Sequence, residues 1–305
     1  MTLQADANNQ VSESNAGPDT SITYEELLAA IAERAKIWSW RSDDMGDRLQ
    51  VNFSTHGPMM FDMSKPEVAA WLRDAHADDW TIEPFPCLML ETLADLFGLT
   101  TALDIGTHFG FISQFLLRLP QMTRVDGVEM NPGAASAVAA NHALNPDLDP
   151  EKRYHMQLAG LSDETSLNQT VWYEGMRLSF ERHDRFTEVD LDILSLSDLV
   201  ARIGHVPQLI KIDIEGFEGR LVDDLNTLLE THRPKVLLEL HWDEIVERHG
   251  HTRREIMMAF LSRGYQCGRL QWHQKMPKAG FMQEVNPDNL DEMLGNKNHA
   301  MYVLF

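Results

Sequence analysis

The sequence predicts an α/β fold built on a mostly parallel β-sheet. From residue 84 onward, short apolar segments typical of strands alternate with segments of helical periodicity, a pattern that covers both faces of a parallel sheet with helices. The 305-residue chain is 43% hydrophobic, which suffices for a large core. We therefore expect an α/β domain over residues 83–305 and a smaller region before it.

The N-terminal part of the chain has a different pattern. Residues 1–20 are polar and offer little to bury, so we predict a disordered tail without the features of a secretion signal. A helix capped by Ser21 or Thr23 should follow, and another should begin at Pro66. Two β-like stretches separate these helices, at 49–53 and 59–63. We interpret 21–82 as an N-terminal helical cap, which either closes over a small-molecule site or serves only as a packing extension.

Charge and composition narrow the function classes. Acidic residues outnumber basic ones by 47 to 26, and the resulting charge of −21 repels polyphosphate, so we expect no nucleic acid or membrane partner. No apolar run reaches the roughly 18 residues of a transmembrane helix. Cys87 and Cys267 have no close-spaced partner, so neither a zinc cluster nor a disulfide framework is predicted. We expect a cytoplasmic protein, and the sequence leaves a homo-oligomer open.

The elements of the α/β domain follow in a regular order. Short apolar runs predict strands at 101–105, 124–129, 155–158, 209–214, 235–241, 265–270 and 299–305. Apolar residues at helical spacing predict helices at 86–97, 111–119, 132–144, 195–203, 217–231 and 252–263. A strand-rich insertion occupies 170–192.

A glycine-containing loop follows the first of these strands. Residues 103–110 read Leu-Asp-Ile-Gly-Thr-His-Phe-Gly. Gly106 and Gly110 allow a tight turn and a close approach of backbone to ligand, while Asp104 can face the ammonium group of a methionine moiety. Ligands of open α/β sheets bind beyond the carboxyl ends of the strands, so the location favours a binding loop. A purely structural turn is the alternative.

The second strand ends in Glu129, about twenty-five residues after Asp104. A carboxylate there can accept hydrogen bonds from both hydroxyls of a ribose, although a solvated loop charge is the alternative. The loop and the acid together indicate a nucleoside-containing ligand, either S-adenosylmethionine or NAD. The loop lacks the third glycine of G-x-G-x-x-G, and no segment is typical of a nicotinamide half-site, so S-adenosylmethionine is favoured.

Two further strands end in ionisable residues. Residues 209–218 read Leu-Ile-Lys-Ile-Asp-Ile-Glu-Gly-Phe-Glu, and period-two alternation would put Asp213 and Glu215 on one side. Such a pair stabilises a sulfonium or holds a divalent metal, unless it only caps the next helix. The neighbouring strand supplies Glu239 and His241, and a histidine beside carboxylates suits a general base, with a structural histidine as the alternative.

The catalytic and metal hypotheses share these residues. The candidate catalytic residues are Asp213, Glu239 and His241. In methyl transfer from S-adenosylmethionine, a substrate hydroxyl would lose its proton to His241 or by a metal-bound route through Asp213 and Glu239. The candidate ligands of an optional divalent metal are Asp213, Glu215, Glu239 and His241.

These strand ends resemble those of the FkbM family of S-adenosylmethionine-dependent methyltransferases. The matching segments are 103–110, 128–132, 159–163, 211–218 and 238–241, within a resemblance that spans about residues 100–305. The resemblance implies a Rossmann-like class I methyltransferase fold, with a seven-stranded sheet in the order 3-2-1-4-5-7-6 and an antiparallel last strand. It also implies methyl transfer to a hydroxyl oxygen of a small-molecule, glycan or polyketide-like acceptor, and it places Leu161 and Ser162 near the adenine.

The sequence departs from the family pattern at Thr107-His108, where members commonly have Ala-Asn. His108 either replaces the asparagine as a donor to the cofactor or faces the substrate. Candidate walls of the acceptor pocket, unless they only pack in the core, are Trp172, Tyr173, Met176, Phe180, Phe186, Trp272, Met276, Phe281 and Met282. Two rivals remain: an NAD-dependent oxidoreductase and a non-catalytic cofactor-binding scaffold.

Overall fold

The computed structural model describes residues 22–66, 68–70, 72, 84–149, 152–174, 177–182, 184–270, 280–295 and 300–305. The predicted tail at 1–20 lies outside the described residues, and so do Met176, Trp272 and Met276. No helix in the described ranges is both long and apolar enough to cross a membrane.

The N-terminal region combines helices with a small sheet. Helix α1 (Tyr24–Ala35) begins with the capping box of Thr23 and Glu26, as the sequence predicts for Thr23. A three-stranded antiparallel sheet follows, made of β1 (Trp40–Asp44), β2 (Arg48–Phe53) and β3 (Met59–Asp62). Residues 66, 68–70 and 72 are helical. The predicted helical cap therefore contains a sheet as well as helices. The sequence analysis did not predict β1, because this strand is polar and mostly exposed and lacks the alternation of apolar and polar residues that marks a strand.

Within the described residues, the main sheet has eleven strands. After β3 they are β4 (Thr101–Ile105), β5 (Arg124–Glu129), β6 (Tyr154–Leu161), β7 (Ser166–Glu174), β8 (Arg177–Ser179), β9 (Thr187–Leu194), β10 (Leu209–Ile212), β11 (Lys235–Leu240), β12 (Cys267–Leu270), β13 (Met282–Val285) and β14 (Ala300–Leu304). Helices connect or flank them: α2 (Pro84–Phe97), α3 (Phe111–Arg118), α4 (Pro132–Ala143), α5 (Leu196–Ile203), α6 (Val222–His232), α7 (Asp243–Val246), α8 (Arg253–Leu261) and α9 (Leu290–Leu294). Two 3₁₀ turns complete the set, at Phe217–Leu221 and Glu247–His249.

The centre of this sheet has the predicted topology. Its order there is β6-β5-β4-β10-β11-β14-β12, which corresponds to 3-2-1-4-5-7-6, and β14 is antiparallel to both of its neighbours. The predicted number of seven strands is corrected to eleven, because β13 extends one edge while β9, β7 and β8 extend the other. Part of the predicted strand-rich insertion therefore continues the main sheet.

Alternating side chains of the central strands enter two separate cores. Ala102 and Leu237 belong to the core that also contains the N-terminal region, α2 and α3. Leu103 and Leu238, the residues that directly follow these two, point to the other face of the sheet and belong to the opposite core with α5, α6 and α8. The N-terminal region is thus packed on one face of the sheet through a continuous apolar core.

A buried glutamate fastens the N-terminal region to α2. Glu91 is 3% exposed, and its carboxylate accepts hydrogen bonds from the Trp38 indole at 2.9 Å and from the Arg34 guanidinium. The His56 ring lies 3.1 Å from it. Burial raises the pKa of Glu91, but the hydrogen bond from His56 and the positive charges outweigh burial and lower it.

Two asparagines, Asn141 in α4 and Asn145 just after it, form hydrogen bonds to strand β3. The Asn145 side chain accepts from the Met60 N–H and donates to the Met60 carbonyl, both at 2.8 Å, as a paired strand would. The Asn141 side chain accepts from the Asp62 N–H at 2.7 Å and donates to the Phe109 carbonyl at 2.8 Å. The edge of the small sheet is therefore hydrogen-bonded through α4 to the loop after β4.

We expect Asn145→Ala to lower the free energy of unfolding by about 2 kcal/mol, because it leaves polar groups of Met60 without their partner. Urea unfolding followed by circular dichroism measures this. The matched control is Asn226→Ala, at a half-buried position on α6 without a side-chain hydrogen bond to the described part of the chain, where we expect a change within about 0.5 kcal/mol. Equal effects of the two substitutions would contradict the role of Asn145.

Candidate active site

Four parallel strands are in register near the carboxyl edge of the sheet. Residues paired across β5, β4, β10 and β11 are Val128, Ile105, Ile212 and Leu238. The residues one step further along the chain are Glu129, Gly106, Asp213 and Glu239. Strand register therefore brings a glycine and three carboxylates to one edge, where open α/β sheets bind their ligands.

The loop after β4 is packed tightly against the end of β10. Gly106 has φ +79°, and a Cβ there would lie 1.7 Å from the Asp213 carbonyl oxygen. The N–H groups of Gly106 and Thr107 both donate to the Val128 carbonyl at 3.0 Å. Gly110, with φ +87°, is the N-cap of α3, so both predicted glycines occupy conformations that favour glycine.

His108 and Glu129 meet at this loop through the backbone. His108 has φ +53°, a left-handed conformation that histidine and asparagine tolerate better than most residues. Its N–H donates to Glu129 Oε2 at 2.8 Å, and Asn131 N–H donates to Oε1 at 2.7 Å. Burial and the charge of Lys211 lower the pKa of the His108 ring to about 4. His108 is therefore neutral at physiological pH.

The structure places Asp104 beneath the loop. The side chain has no exposed surface, Oδ2 accepts from Ser113 Oγ at 2.6 Å, and Oδ1 lies 3.7 Å from Lys211 Nζ. Burial raises the pKa of Asp104 despite these partners. The predicted direct contact with a ligand ammonium group is not available to a fully buried carboxylate, which instead supports the loop and Lys211.

Lys211 is a site residue that the sequence analysis missed. It is 5% exposed, and Nζ donates to the Gly106 carbonyl at 3.0 Å and to Asp213 Oδ2 at 3.2 Å. A lysine inside the apolar strand β10 was the available signal, because a buried lysine needs a partner. This ammonium group joins the glycine loop to the strand-end carboxylate.

The alternation argument for Asp213 and Glu215 fails because β10 ends at Ile212 and not at residue 214. Glu215 has φ +56°, so the chain turns away from an extended conformation, and its side chain is 88% exposed against 20% for Asp213. Burial raises the pKa of Asp213, but the charges of Lys211 and His241 outweigh burial and lower it.

His241 lies between two carboxylates. Nδ1 is 2.9 Å from Glu218 Oε1, and Nε2 is 3.3 Å from Glu215 Oε2. Burial alone would lower the pKa of His241, but the hydrogen bonds to Glu215 and Glu218 raise it to about 10. A charged imidazole has no lone pair for a proton, so the ligand-free arrangement does not fit the predicted general base.

Glu218 is the second functional residue that the sequence analysis left unassigned. It is 1% exposed, and besides His241 its Oε1 accepts from the N–H groups of Gly216 at 3.2 Å and Ile214 at 3.4 Å. Within the described part of the chain, Oε2 has no hydrogen-bond partner. Only its position in the segment 209–218 could have drawn attention to it.

The chain also matches the sequence profile of a known protein family. The sequence profile described as the methyltransferase FkbM domain matches residues 104–267, more than half of the chain. The chain belongs to the FkbM methyltransferase family. The family segment runs from the glycine loop to β12. No curated protein matches the chain.

Several solved methyltransferases resemble this FkbM family member in structure. One is the methyltransferase FkbM from Methylobacillus flagellatus KT, with 13% identity and a TM-score of 0.43 over 72% of this chain and 53% of that one. Another is the O-methyltransferase TomG from Streptomyces achromogenes, with 13% identity and a TM-score of 0.40 over 76% and 85%. An O-methyltransferase from Bacillus cereus has 13% identity and a TM-score of 0.41 over 76% and 86%. The chain spans about half the length of the first of these proteins.

Leu161 and Ser162, the two residues predicted near adenine, lie at the end of β6. Leu161 ends β6 and is 9% exposed, while Ser162 Oγ donates to Asp163 Oδ1 at 2.8 Å. A Cβ on Gly160 would lie 2.8 Å from the sulfur of Met130, so the chain after β5 packs closely on β6. The adenine contacts themselves stay a prediction.

The predicted aromatic walls are only partly exposed in this FkbM family member. Phe281 and Met282 are 9% and 5% exposed and belong to the core, with Phe281 in an edge contact with Phe85, so they do not line an open pocket. Phe180 is exposed, whereas Trp172, Tyr173 and Phe186 are half-buried. Trp242, which the sequence analysis did not consider, is 39% exposed next to His241.

We expect Gly106→Ala to abolish cofactor binding and to lower stability more than Gly204→Ala does. Both glycines have similar positive φ, +79° and +76°, but a Cβ on Gly204 meets nothing within 4 Å. The control therefore carries only the left-handed strain of about 1–2 kcal/mol. Calorimetric titration with S-adenosylhomocysteine measures cofactor binding, and thermal unfolding measures stability. Equal losses of binding and stability in both variants would contradict the close packing of Gly106 on Asp213.

We expect the two histidines of the site to titrate at opposite extremes in the ligand-free protein. Nitrogen chemical shifts should show His108 neutral above about pH 4 and His241 protonated up to about pH 10. Because the folded-state pKa of His241 is raised, its contribution to stability is present below its ordinary pKa of 6.5 and is lost as pH rises through about 10. A neutral His241 at pH 7 would restore the general-base interpretation.

Proposed function

We propose that this FkbM family methyltransferase transfers the methyl group of S-adenosylmethionine to a hydroxyl oxygen of a small-molecule acceptor. The observation that carries the proposal is the level row formed by Gly106, Glu129 and Asp213 at the carboxyl edge of β4, β5 and β10. S-adenosylmethionine supplies an electrophilic methyl group attached to a positively charged sulfur.

The site residues fit the parts of this cofactor. Each oxygen of the Glu129 carboxylate accepts one backbone hydrogen bond and keeps a lone pair for a ribose hydroxyl. Gly106 and Gly110 let the loop turn tightly against Asp213 and Val138. Leu161 and Ser162 lie at the end of the adjacent strand β6 for the adenine. His108 is neutral, so it can donate to the methionine end without repelling its ammonium group.

Charge favours S-adenosylmethionine over NAD. The strand-end carboxylates Glu129, Asp213 and Glu239, with Glu215 beside them, outnumber the cations Lys211 and His241. Such a crevice attracts a sulfonium and an ammonium group and repels a pyrophosphate. The acidic chain as a whole also favours a neutral acceptor over nucleic acid.

Asp213, Glu239 and His241 stay the proposed catalytic residues, with a changed role for His241. Its charged ring holds the carboxylates of Glu215 and Glu218 in place and offsets their repulsion in the ligand-free protein. The chain mainly positions the acceptor hydroxyl, since a sulfonium is already a good leaving group and orientation alone removes several kcal/mol of a barrier. The exposed ring of Trp242 offers an apolar face to a cyclic acceptor.

Calorimetric titration of the purified protein should detect binding of S-adenosylhomocysteine, the demethylated cofactor, and no binding of NAD. Glu129→Gln should weaken that binding by about tenfold, because it removes the charge from the acceptor of two ribose hydroxyls. The control Glu188→Gln changes an exposed glutamate on β9 and should leave the affinity unchanged.

Transfer to oxygen is tested with a labelled methyl group on the cofactor and a panel of acceptors that carry hydroxyl, amine or thiol groups. Label in an ether linkage is the expected product. Label on nitrogen or sulfur alone would refute the oxygen acceptor, and cofactor binding without turnover of any acceptor would favour the non-catalytic scaffold.

A further inference from the structure

We propose that Asp213, Glu239 and His241 bind one divalent transition-metal ion that holds the acceptor oxygen. The ion-binding part of this inference stands on the residues alone. The role toward the acceptor rests on the proposed function, because it concerns the acceptor side of the same crevice.

The three side chains are already gathered. One donor atom from each of Asp213, Glu239 and His241 lies within 4.8 Å of the others. Ligands that share an ion at about 2.2 Å each can be at most about 4.4 Å apart, so only a small contraction is needed. Glu239 and His241 are 9% and 5% exposed, which limits the competition of water for these donors.

The register of β10 and β11 explains why the cluster is preorganised. Ile212 pairs with Leu238, so Asp213, just after β10, and Glu239, near the end of β11, are neighbours at the edge of the sheet. His241 follows at the end of β11, and a helical turn at Phe217–Leu221 brings Glu218 back against it. The donor atoms therefore come from ordered elements and not from one flexible loop.

Glu218 supplies an independent sign of a ligand site. Its carboxylate is 1% exposed and bonds His241 Nδ1 at 2.9 Å, while its second oxygen has no hydrogen-bond partner among the described residues. Metal-binding histidines typically donate their other ring N–H to a carboxylate in this way, which fixes the ring. With Nδ1–H donating to Glu218, Nε2 can bind an ion once it has released its own proton to solvent, in the place where it now meets Glu215.

The charges around His241 also match a dication. With His241 neutral as a ligand, four carboxylates, those of Asp213, Glu215, Glu218 and Glu239, face one cation, Lys211. The excess of negative charge in a partly buried place is costly unless a further cation compensates it. Two carboxylate oxygens and one imidazole nitrogen are donors that Mn²⁺, Fe²⁺ and Zn²⁺ accept, whereas Ca²⁺ prefers a site made only of oxygen atoms.

The test is a titration of the full-length protein with Mn²⁺, without cofactor or acceptor, in which free Mn²⁺ is measured by electron paramagnetic resonance. We expect one bound ion per chain. Glu239→Gln, which keeps the shape of a ligand, should weaken binding at least about tenfold, and Glu218→Gln, which removes the support of the ring, should weaken it by about 10- to 100-fold. The matched control Glu244→Gln changes an exposed glutamate of α7 and should bind Mn²⁺ like the unmodified protein.

Thermal unfolding checks that each variant is folded, and Glu239→Asp replaces Glu239→Gln if the latter is not, with weakened binding again expected. No bound Mn²⁺ at millimolar concentration, or equal affinity in the Glu239 variant and the Glu244 control, would overturn the metal site. Binding of S-adenosylhomocysteine is measured separately in the metal-free protein. Its presence without a specific Mn²⁺ site refutes only the metal inference, and its absence with a specific Mn²⁺ site refutes only the proposed function.

Discussion

The register of the four central parallel strands is the constraint on which the site depends. Because β5, β4, β10 and β11 are in register near their carboxyl ends, Glu129, Gly106, Asp213 and Glu239 lie side by side although they are far apart in sequence. A shift of one strand by one residue would turn its polar end into the core and an apolar residue toward the ligand. The close approach of Gly106 to the Asp213 carbonyl depends on the same alignment, since the loop has room only for a glycine there.

Burial of charge is the second organising feature, and it follows from this alignment. Carboxylates gathered at a sheet edge repel one another. Lys211 beside Asp213 and His241 beside Glu215 offset this repulsion. Lys211 also donates to the Gly106 carbonyl, so the group that balances the charge of Asp213 holds the glycine loop as well. The contrast between His108, whose pKa is lowered, and His241, whose pKa is raised, shows that local partners outweigh burial at only one of these rings.

The N-terminal region is part of the same mechanical unit as the loop after β4. The Asn141 side chain joins β3 to the Phe109 carbonyl, and Phe61 packs edge-on against the Phe109 ring with centroids 6.1 Å apart. These contacts are buried and polar or aromatic, so breaking them would leave unsatisfied groups. The region therefore supports the loop after β4 through Phe109. A role in closing over a small-molecule site stays a prediction.

The sequence by itself determined the α/β class and the positions of Glu129, Asp213, Glu239 and His241 near strand ends, because apolar runs and turn residues are local signals. The central strand order was implied only by the resemblance to the FkbM family. The sequence did not reveal the four extra strands, since β13 and the β7–β9 extension depend on edges that only the folded sheet offers. Tertiary structure alone decided that Asp104 is buried and that His241 is charged. Those properties arise from groups distant in sequence, and no local pattern records which side chains will meet across a sheet edge.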